Sequence, residues 1–541
     1  MRRTSFALVA VVVSGIVAVA PAAGAPEQTP KRGGTVVIGL DGDSCVNPLA
    51  CGLRILTHKV LLPAFATAPD LTLQPRLVSS VTVTKRPPFT LTYRIRPEAR
   101  WSDRVPVTAR DFEFTHEAIQ KARAANADLA SYAVHDSVKA VRLLGAKIFR
   151  VVLRSRDARW QGLFEVVLPR HALAGQDLTS AWRDGIVNPK TGRPIGSGPF
   201  LLQRWERGKQ YTLVRNPNYW GPHVSYLDRL VVRFQERVGG TPLPLEVLEG
   251  LRRGELDFAF TQDPSFVPEL RRLPGVRVFH VTTDRWEHID IRIGQGGHPA
   301  LRDKRVRRAL AYGVDRVNVV RRLYGDLDPA YRPSDSAIFL GSHAAYRPNW
   351  SKFRYRPAES RRLLEQAGCR RETDGIYSCA GRRLELRLVT LAGASHRIRS
   401  VELVQAQLRR AGMEIETQFA PGAVLFPKIL PSGDFDLVFL AYIRGFAASE
   451  TKRSFGCGAP GNLTGYCQRL VTRDLDQADR ILDAEQRARV LNRADRQLAK
   501  DVPVIPFYDS PFVLALRNTV RNVVVSPEDL LWNAEDWWLE R

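Results

Sequence analysis

The side chains that could do chemistry are scattered along this chain of 541 residues. It has no Gly-x-Ser-x-Gly nucleophile motif, no His-Glu-x-x-His zinc motif, and neither of the glycine-rich patterns that cradle phosphates. The ten histidines are dispersed. His288 and Asp290 come nearest to a catalytic couple, because alternate residues of a strand share one face. Such spacing is more typical of a surface pair or a satisfied core pair, so we expect no catalytic residues and no enzyme activity.

The six cysteines fall into three close pairs. These pairs are Cys45 with Cys51, Cys369 with Cys379, and Cys457 with Cys467. Zinc ligands are usually two to four residues apart and often accompanied by histidines, which is not the pattern here. Six cysteines allow fifteen connectivities, of which we predict nearest-neighbour pairing. Three such disulfides would pin surface loops in an oxidising compartment, and we predict no metal site and no cofactor.

The net charge is strongly positive but evenly spread. The chain carries 80 Lys and Arg against 56 Asp and Glu, a formal charge of +24. A nucleic-acid-binding protein would concentrate this charge in one patch or arm, whereas arginines occur here in every segment. We interpret most of them as solvated helix faces and expect no nucleic acid partner. Attraction of an anionic ligand or an anionic membrane surface stays open.

Residues 1–25 have the pattern of a secretory signal peptide. Arg2 and Arg3 form a short basic region, residues 6–20 are almost entirely apolar, and small residues follow up to Ala25. A retained membrane anchor is the alternative, but about 15 apolar residues span a bilayer poorly. No cysteine near the predicted cleavage point could carry a lipid anchor. We therefore expect cleavage and an extracytoplasmic location, in the periplasm or at the cell exterior.

Hydrophobic periodicity predicts a mixed α/β chain, and its length predicts at least two lobes, because domains usually have about 100–200 residues. A helix is predicted to end at Gly325, a second to run from about Pro357 to Gly368, and a third to cover residues 398–411. The apolar stripe of the first helix is Val306, Leu310, Val314, Val317 and Val320. The third helix would join two strands by a right-handed crossover. The predicted strands are residues 35–39, 90–95, 148–153, 211–215, 230–234, 384–390, 415–419 and 437–440.

One segment is much more specific as a string than its local physics requires. It contains the turn Gly196-Ser197-Gly198-Pro199-Phe200, then Trp205 and Gly208, then Arg215-Asn216-Pro217-Asn218-Tyr219-Trp220-Gly221. It resembles the matching segment of the extracytoplasmic solute-binding proteins of ABC importers, in the family of the oligopeptide-, dipeptide- and nickel-binding proteins. The resemblance extends from about residue 32 to residue 510. Its further matching segments are residues 32–41 with 47–49, 99–103 with 107–112, 251–260, and 301–316.

The resemblance implies a two-lobe periplasmic-binding-protein-like fold of type II, an α/β fold with an additional subdomain inserted in the first lobe. We assign residues 26–66, 189–290 and 507–541 to the first lobe, residues 67–188 to the inserted subdomain, and residues 291–506 to the distal lobe. Lobe closure would bury a ligand in the cleft, and the closed form would be what the membrane permease recognises. We expect a monomer.

The sequence departs from its relatives where a ligand would bind. Peptide-binding members commonly carry a tryptophan and then an aspartate just after the strand that matches residues 437–440, and this acid neutralises the peptide α-amino group. Here no acid occurs in that stretch before Glu450, and a buried ammonium without a carboxylate costs on the order of several kcal/mol. Arg444 offers a planar donor fork for a carboxylate or phosphate instead. Alternatively, Arg444 faces solvent and Asp43 or Glu450 pairs with the ligand.

The other predicted ligand-binding residues are chosen by their positions near the predicted hinge and strand ends. Trp286, Tyr442 and Phe446 could stack on a ligand without reading its side chains closely, or could be ordinary core. Arg397 follows a strand end, where α/β sheets place ligand loops, or it could be a solvated helix residue. With Asp43 and Arg444, these are the residues that we assign to the cleft.

The sequence therefore predicts the solute-binding component of an ABC import system, which binds peptides or a peptide-like solute and delivers it to the permease. The alternative is the same fold binding a non-peptide solute, such as an opine, an oligosaccharide or a metal chelate, or acting as a sensor. An unrecognised enzyme in a cleft is the third hypothesis.

Peptide mapping of the secreted protein under non-reducing conditions checks the cysteine pairing. We expect three linked peptide pairs that join nearest neighbours, because the short spacing and the exported chain favour local bonds. Free thiols, or a bond between distant cysteines, would contradict this prediction.

Overall fold

The structure is a computed structural model that describes residues 29–41, 46–51, 58–84, 86–125, 130–178, 180–235, 237–238, 241–242, 244–444 and 449–540. The strands up to the middle of the chain are β1 (Thr35–Asp41), β2 (Phe65–Thr67), β3 (Leu73–Pro75), β4 (Val78–Val83), β5 (Thr90–Ile95), β6 (Val138–Gly145), β7 (Ile148–Leu153), β8 (Phe200–Glu206), β9 (Gln210–Arg215), β10 (Arg229–Gln235), β11 (Arg237–Val238), β12 (Thr241–Pro242) and β13 (Phe258–Thr261). The later strands are β14 (Val276–Ile291), β15 (Arg370–Arg371), β16 (Tyr377–Cys379), β17 (Arg382–Arg383), β18 (Glu385–Leu391), β19 (Glu414–Ala420), β20 (Leu437–Ile443), β21 (Val504–Arg517), β22 (Val520–Arg521) and β23 (Trp538–Leu539).

The α-helices of the described residues are α1 (Pro48–Cys51), α2 (Ala109–Ala125), α3 (Arg170–Leu173), α4 (Pro244–Arg252), α5 (Val267–Arg271), α6 (Lys304–Gly313), α7 (Arg316–Tyr324), α8 (Pro357–Gln366), α9 (Ser395–Arg410), α10 (Gly422–Val424), α11 (Leu430–Ser432), α12 (Ser449–Phe455), α13 (Arg469–Ala478) and α14 (Ala484–Asp501). Short 3-10 helices cover Ala130–Ser137, Trp160–Gly162, Pro264–Phe266, Pro299–Arg302 and Ala534–Asp536, and Leu425–Ile429 forms one π turn.

A ten-stranded sheet runs through the molecule in the order β19-β18-β20-β14-β21-β13-β1-β10-β9-β8. At one end β18 pairs in parallel with β19 and β20, and at the other end β1 pairs in parallel with β10 and β13. The two long strands β14 and β21 pair with each other in the middle and join the two halves. The sheet therefore has a two-lobed plan with a two-stranded hinge.

The hinge ladder has two register shifts, a large one between Thr282 and Trp286 and a smaller one between Glu287 and His288. Thr282 pairs with Pro511 and the next pair is Trp286 with Asp509, so that residues 283–285 of β14 oppose Ser510 alone. Extra residues on one strand bend it locally and increase its twist. The bend lies between the two halves of the sheet, where a hinge must deform.

Two large apolar cores follow from alternation along the strands. In the first half of the sheet, Val36, Ile38 and Leu40 face a core that also contains the residues of the four-stranded sheet β4-β5-β7-β6. Ala259 and Ala515, on the opposite face, belong to a second core that continues without interruption into the helices of the other half. The lobe and subdomain boundaries assigned from sequence remain predictions.

The predicted elements agree with the structure except at one helix. All eight predicted strands are present, with ends that differ by a few residues, and the helices around residues 357–368 and 398–411 are found as α8 and α9. The prediction of one continuous helix that ends at Gly325 is wrong. Val314 has an extended backbone, and the side chain of Asp315 accepts a hydrogen bond from Asn318 N, so the segment splits into α6 and α7. An internal N-cap of this kind outweighs continuous apolar periodicity.

Two of the three predicted disulfides are confirmed. Cys369 is bonded to Cys379, and Cys457 to Cys467. Cys45 lies outside the described residues, as does the predicted signal peptide, so these two expectations remain predictions. Within the ranges given above, no helix is both long and apolar enough to cross a bilayer.

The specific segment around Gly198 has a structural explanation. Both Ser197 N and Gly198 N donate to Val60 O, at 2.9 and 3.0 Å. Asn216 Nδ2 donates to Gly198 O, and Trp220 Nε1 to Ser197 O. A Cβ at position 198 would lie only 2.2 Å from Lys59 O. The glycines are therefore needed because two backbone segments touch at this point.

We expect Gly198→Ala to lower the free energy of unfolding by about 2–3 kcal/mol, because the added methyl group must displace backbone atoms. Urea denaturation measures this change. Gly185→Ala is the matched control, since its Cβ would meet nothing nearer than Val187 Cγ1 at 3.9 Å. Its stability should remain within about 0.5 kcal/mol of the wild type. Equal stability of the two variants would show that the close approach is not required.

An interlobe cleft with neutralised charges

The two halves of the sheet point their strand ends toward each other. β13 ends at Thr261, which pairs with Val513 of β21, and Val513 also pairs with His280 of β14. On the other side, β20 ends at Ile443, which pairs with Arg285 of β14. Along β21 the levels of these two strand ends are about three residues apart, from Val513 to Ser510, which is about 10 Å of extended strand. Open α/β sheets bind ligands beyond the carboxyl ends of their strands. The candidate site is this interlobe cleft, which spans the hinge bulge.

Two hydrogen bonds link opposite sides of the cleft. Ser395 Oγ, at the start of α9, donates to Asp263 Oδ2 at 2.5 Å, just beyond β13. Ala158 N donates to Asp479 O at 2.7 Å, which links the segment after β7 to the end of α13. These two hydrogen bonds link the two sides of the cleft in this structure.

A buried ion pair supports the distal side of the cleft. Arg397 of α9 grips Glu287 of β14 with two hydrogen bonds, Nε to Oε2 at 2.9 Å and Nη2 to Oε1 at 3.1 Å. His396 Nε2 lies 3.3 Å from Oε1 of the same carboxylate, and Ser510 Oγ donates to it from β21. Glu287 is 1% exposed and Arg397 8% exposed. The pair ties the start of α9 to both hinge strands.

The two members of this pair hold each other charged. Burial by itself raises the pKa of the Glu287 carboxyl, but the charge of Arg397 and the hydrogen bonds from His396 and Arg397 outweigh burial and hold this pKa well below its usual range. Burial likewise lowers the pKa of Arg397, and Glu287 more than restores it. Breaking such a pair would leave an uncompensated buried charge.

Arg444 makes a second pair of the same kind. It lies at the end of β20, where Nη1 donates to Asp509 Oδ1 of β21, and Nη2 donates to Ser334 Oγ at 2.8 Å and to Ser336 O at 2.5 Å. Its guanidinium also lies 4.6 Å from the ring centroid of Trp286. Arg444 is 7% exposed. Most of its donors are therefore used inside the protein.

Aromatic and polar side chains continue from Trp286 into the distal half. His288 stacks on Trp286 with ring centroids 4.3 Å apart, and Tyr442 OH donates to Asp290 Oδ2 at 2.5 Å. His288 Nε2 and Asp290 Oδ1 are 3.6 Å apart, and neither atom has a hydrogen-bond partner among the described residues. His288 and Asp290 thus share a face, as their spacing predicts, but they are completely buried.

The structure places the predicted site residues as follows. Trp286, Tyr442, Arg397 and Arg444 all lie at the cleft end of the distal half, and the first, third and fourth are buried. Asp43 and Phe446 are outside the described residues. The alternative that Arg397 or Arg444 is a solvated residue is wrong, because both are buried. Neither arginine is a cation waiting for an anionic ligand, since each is already paired with a carboxylate on a hinge strand. Their ligand contacts remain predictions.

Sequence reasoning missed the carboxylates of the cleft. Glu287 stands in the buried second half of β14, Asp509 stands within the apolar strand β21, and Asp263 follows β13. An acid inside an otherwise buried strand must find a partner, so this pattern could have indicated them. Within the described part of the chain, no group of three or more His, Cys, Asp or Glu side chains could hold a metal ion.

Two lobes that share a hinge of two strands, with a cleft between their strand ends, define a two-lobe periplasmic-binding-protein fold. The chain belongs to the bacterial extracellular solute-binding proteins, family 5, whose middle-region model matches residues 72–455.

Known proteins of this kind resemble the chain over nearly its whole length. The oligopeptide-binding protein OppA of Mycobacterium tuberculosis is 25% identical over 476 residues, which are 86% of this chain and 77% of the relative. The structure of the periplasmic EDTA-binding protein EppA is 21% identical with a TM-score of 0.81, covering 95% of this chain and 98% of that one. The oligopeptide-binding protein AppA of Bacillus subtilis, in complex with a nonapeptide, is 19% identical with a TM-score of 0.73, covering 95% and 100%.

We expect Arg397→Met to lower the free energy of unfolding by about 3–5 kcal/mol at pH 7, because Glu287 would remain buried without its partner. Since the folded-state pKa of Glu287 is lowered, its contribution is present above the ordinary value of 4.5 and is lost as the pH falls below it. The difference between variant and wild type should therefore shrink between pH 6 and about pH 3. Urea unfolding at several pH values measures it.

Arg399→Met is the matched control, because Arg399 is exposed two residues further along the same helix. Its effect should stay within about 0.5 kcal/mol at every pH. A loss that is the same at both ends of the pH range would show that Glu287 is not the group whose charge matters.

Proposed function

We propose that this protein is the extracytoplasmic solute-binding component of an ABC import system. In this function it binds peptides or a peptide-like solute in the interlobe cleft and delivers the solute to a membrane permease. A cleaved signal peptide would export it, and it would act as a monomer without catalysing a reaction. Membership of family 5 and the oligopeptide-binding relatives support the proposal.

The observation that carries it is the closed cleft itself. Two sets of strand ends face each other over about 10 Å, and hydrogen bonds at Ser395–Asp263 and Ala158–Asp479 link the two sides. A segment of extended peptide rises by about 3.3 Å per residue, so a gap of this length suits a short peptide. Closure around the solute would then give the permease a defined shape to recognise.

The charges of the cleft bear on which solute it takes. Glu287 is held by Arg397, Asp509 by Arg444, and Asp263 by Ser265 and Ser395. A free peptide α-ammonium would have to displace one of these partners or use Asp43 or Glu450. This favours a second candidate solute without a free amine, such as a metal chelate, as the alternative within the same fold.

A thermal-shift screen of the mature protein tests the proposal. We expect a pool of tri- to pentapeptides to raise the melting temperature, since a ligand at 100 times its Kd stabilises by about 2.7 kcal/mol. We also expect N-acetylation of the peptides to change Kd by less than about threefold, because Glu287 and Asp509 are already paired with arginines and Asp263 already accepts three hydrogen bonds. Calorimetry of matched free and acetylated peptides measures this ratio.

Fe(III)-EDTA and Ni(II)-histidine provide the comparison arm. Stabilisation by a chelate without any effect of peptides would support the alternative solute. Loss of peptide binding on acetylation would show that an acid, Asp43 or Glu450, does capture the amine. No stabilisation by any of these probes would contradict the peptide proposal.

A further inference from the structure

The contact between Ala158 and Asp479 joins parts of the protein that otherwise pack in different cores. The strand β7 and Leu163, on either side of Ala158, belong to the core of the four-stranded sheet. Leu475 and Ala478 of α13, just before Asp479, belong to the core of the distal helices. The bond from Ala158 N to Asp479 O, 2.7 Å long, is therefore a bridge between these two cores, on opposite sides of the cleft.

Of the two carboxylates at this bridge, Asp157 is paired with an arginine and, in the ranges that the structure describes, Asp479 is not. Arg159 donates to both oxygens of Asp157, at 2.9 and 2.7 Å, and so neutralises the carboxylate on its own side. Asp479 Oδ1 is buried and has no hydrogen-bond partner among the described residues. Closure thus buries a second carboxylate next to one arginine that is already engaged.

The groups that face Asp479 from neighbouring elements do not remove this imbalance. Arg159 and Lys452 favour its charged form, whereas Asp157 and Asp476 oppose it, and Lys452 is itself paired with Asp476. Arg487 of α14 also lies within electrostatic range, but its Nη1 donates to Ile481 O and Leu482 O. Protonation of Asp479 would remove the unpaired charge without breaking the backbone bond.

We propose that Asp157, Arg159 and Asp479 form an acid-sensitive latch, in which uptake of one proton by Asp479 favours the closed arrangement of the lobes. The latch rests on the lobe closure of the proposed function but not on the identity of the solute. At neutral pH the buried charge of Asp479 opposes closure, and binding of a solute must overcome it. In mildly acidic surroundings the same protein closes more readily.

The pKa of Asp479 in the closed and open states determines how closure depends on pH. Burial raises the pKa of Asp479 from 3.8 to about 6 in this arrangement; the charge of Arg159 lowers this pKa, but the repulsion from Asp157 adds to the effect of burial. A raised pKa means that the proton stabilises the closed state fully below pH 3.8 and that this contribution is lost as the pH rises through about 6. The closing equilibrium should therefore change by about tenfold between pH 7.5 and pH 5.

Single-molecule energy transfer on the full mature chain without ligand tests the latch. Dyes on Lys139→Cys and Arg496→Cys, both at exposed positions, report the distance between the two sides of the cleft. We expect the ratio of closed to open molecules to rise by about tenfold from pH 7.5 to pH 5 in the wild-type background. In Asp479→Asn, which resembles the protonated form, the ratio should be high and equal at both pH values.

Glu485→Gln is the control, because this acid is exposed on α14, and it should keep the wild-type pH response. Asp157→Asn provides a second variant, in which Arg159 is free to pair with Asp479, so the closed state should be favoured at pH 7.5 as well. A wild-type ratio that does not change with pH, or an Asp479→Asn ratio that still changes, would overturn the proposal. Neither result would depend on whether peptides bind.

Discussion

The pairing of β14 with β21 is the constraint on which the rest of the structure depends. It is the one ladder of the ten-stranded sheet that both halves share, and it runs from Val276 with Arg517 to Asp290 with Val504. Every group that defines the distal side of the cleft is attached to it, either on the strands or through a side chain that bonds to them. The ladder is irregular opposite Ser510 and again between Glu287 and His288, both between the two halves of the sheet.

The hinge strands also determine the electrostatics of the cleft. Arg397, at the start of α9, pairs with Glu287 on β14, and Arg444, just after β20, pairs with Asp509 on β21. Burying four charges is costly unless each is paired and hydrogen-bonded, as they are here. These pairs hold the distal half against the hinge. At these two positions a solute would meet neutralised pairs rather than single charges, whereas Asp263 is held, within the described part of the chain, by serine donors alone.

The two bridges across the cleft differ in their chemistry. Near the hinge, the hydroxyl of Ser395 donates to a carboxylate that accepts two further hydrogen bonds, from Ser265 N and Ser265 Oγ. At the far bridge, a backbone bond brings Asp479 beside Asp157 without a free donor for its own side chain. In the proposed latch, it is this far bridge that makes closure depend on pH.

The sequence by itself determined the family, the α/β class, the eight strands that were predicted and two described disulfides, because these depend on local periodicity, short spacing and a specific string of residues. It placed Trp286, Arg397, Tyr442 and Arg444 near one another for the same reason, since strand ends and hinge positions follow from element order. It did not show that Asp315 divides a helix, or that Glu287 and Asp509 neutralise the two arginines. Those partners are 110 and 65 residues away along the chain. Only the tertiary structure decides such pairs, because a buried charge takes whatever partner the fold brings within reach, and its spacing in sequence carries no record of that choice.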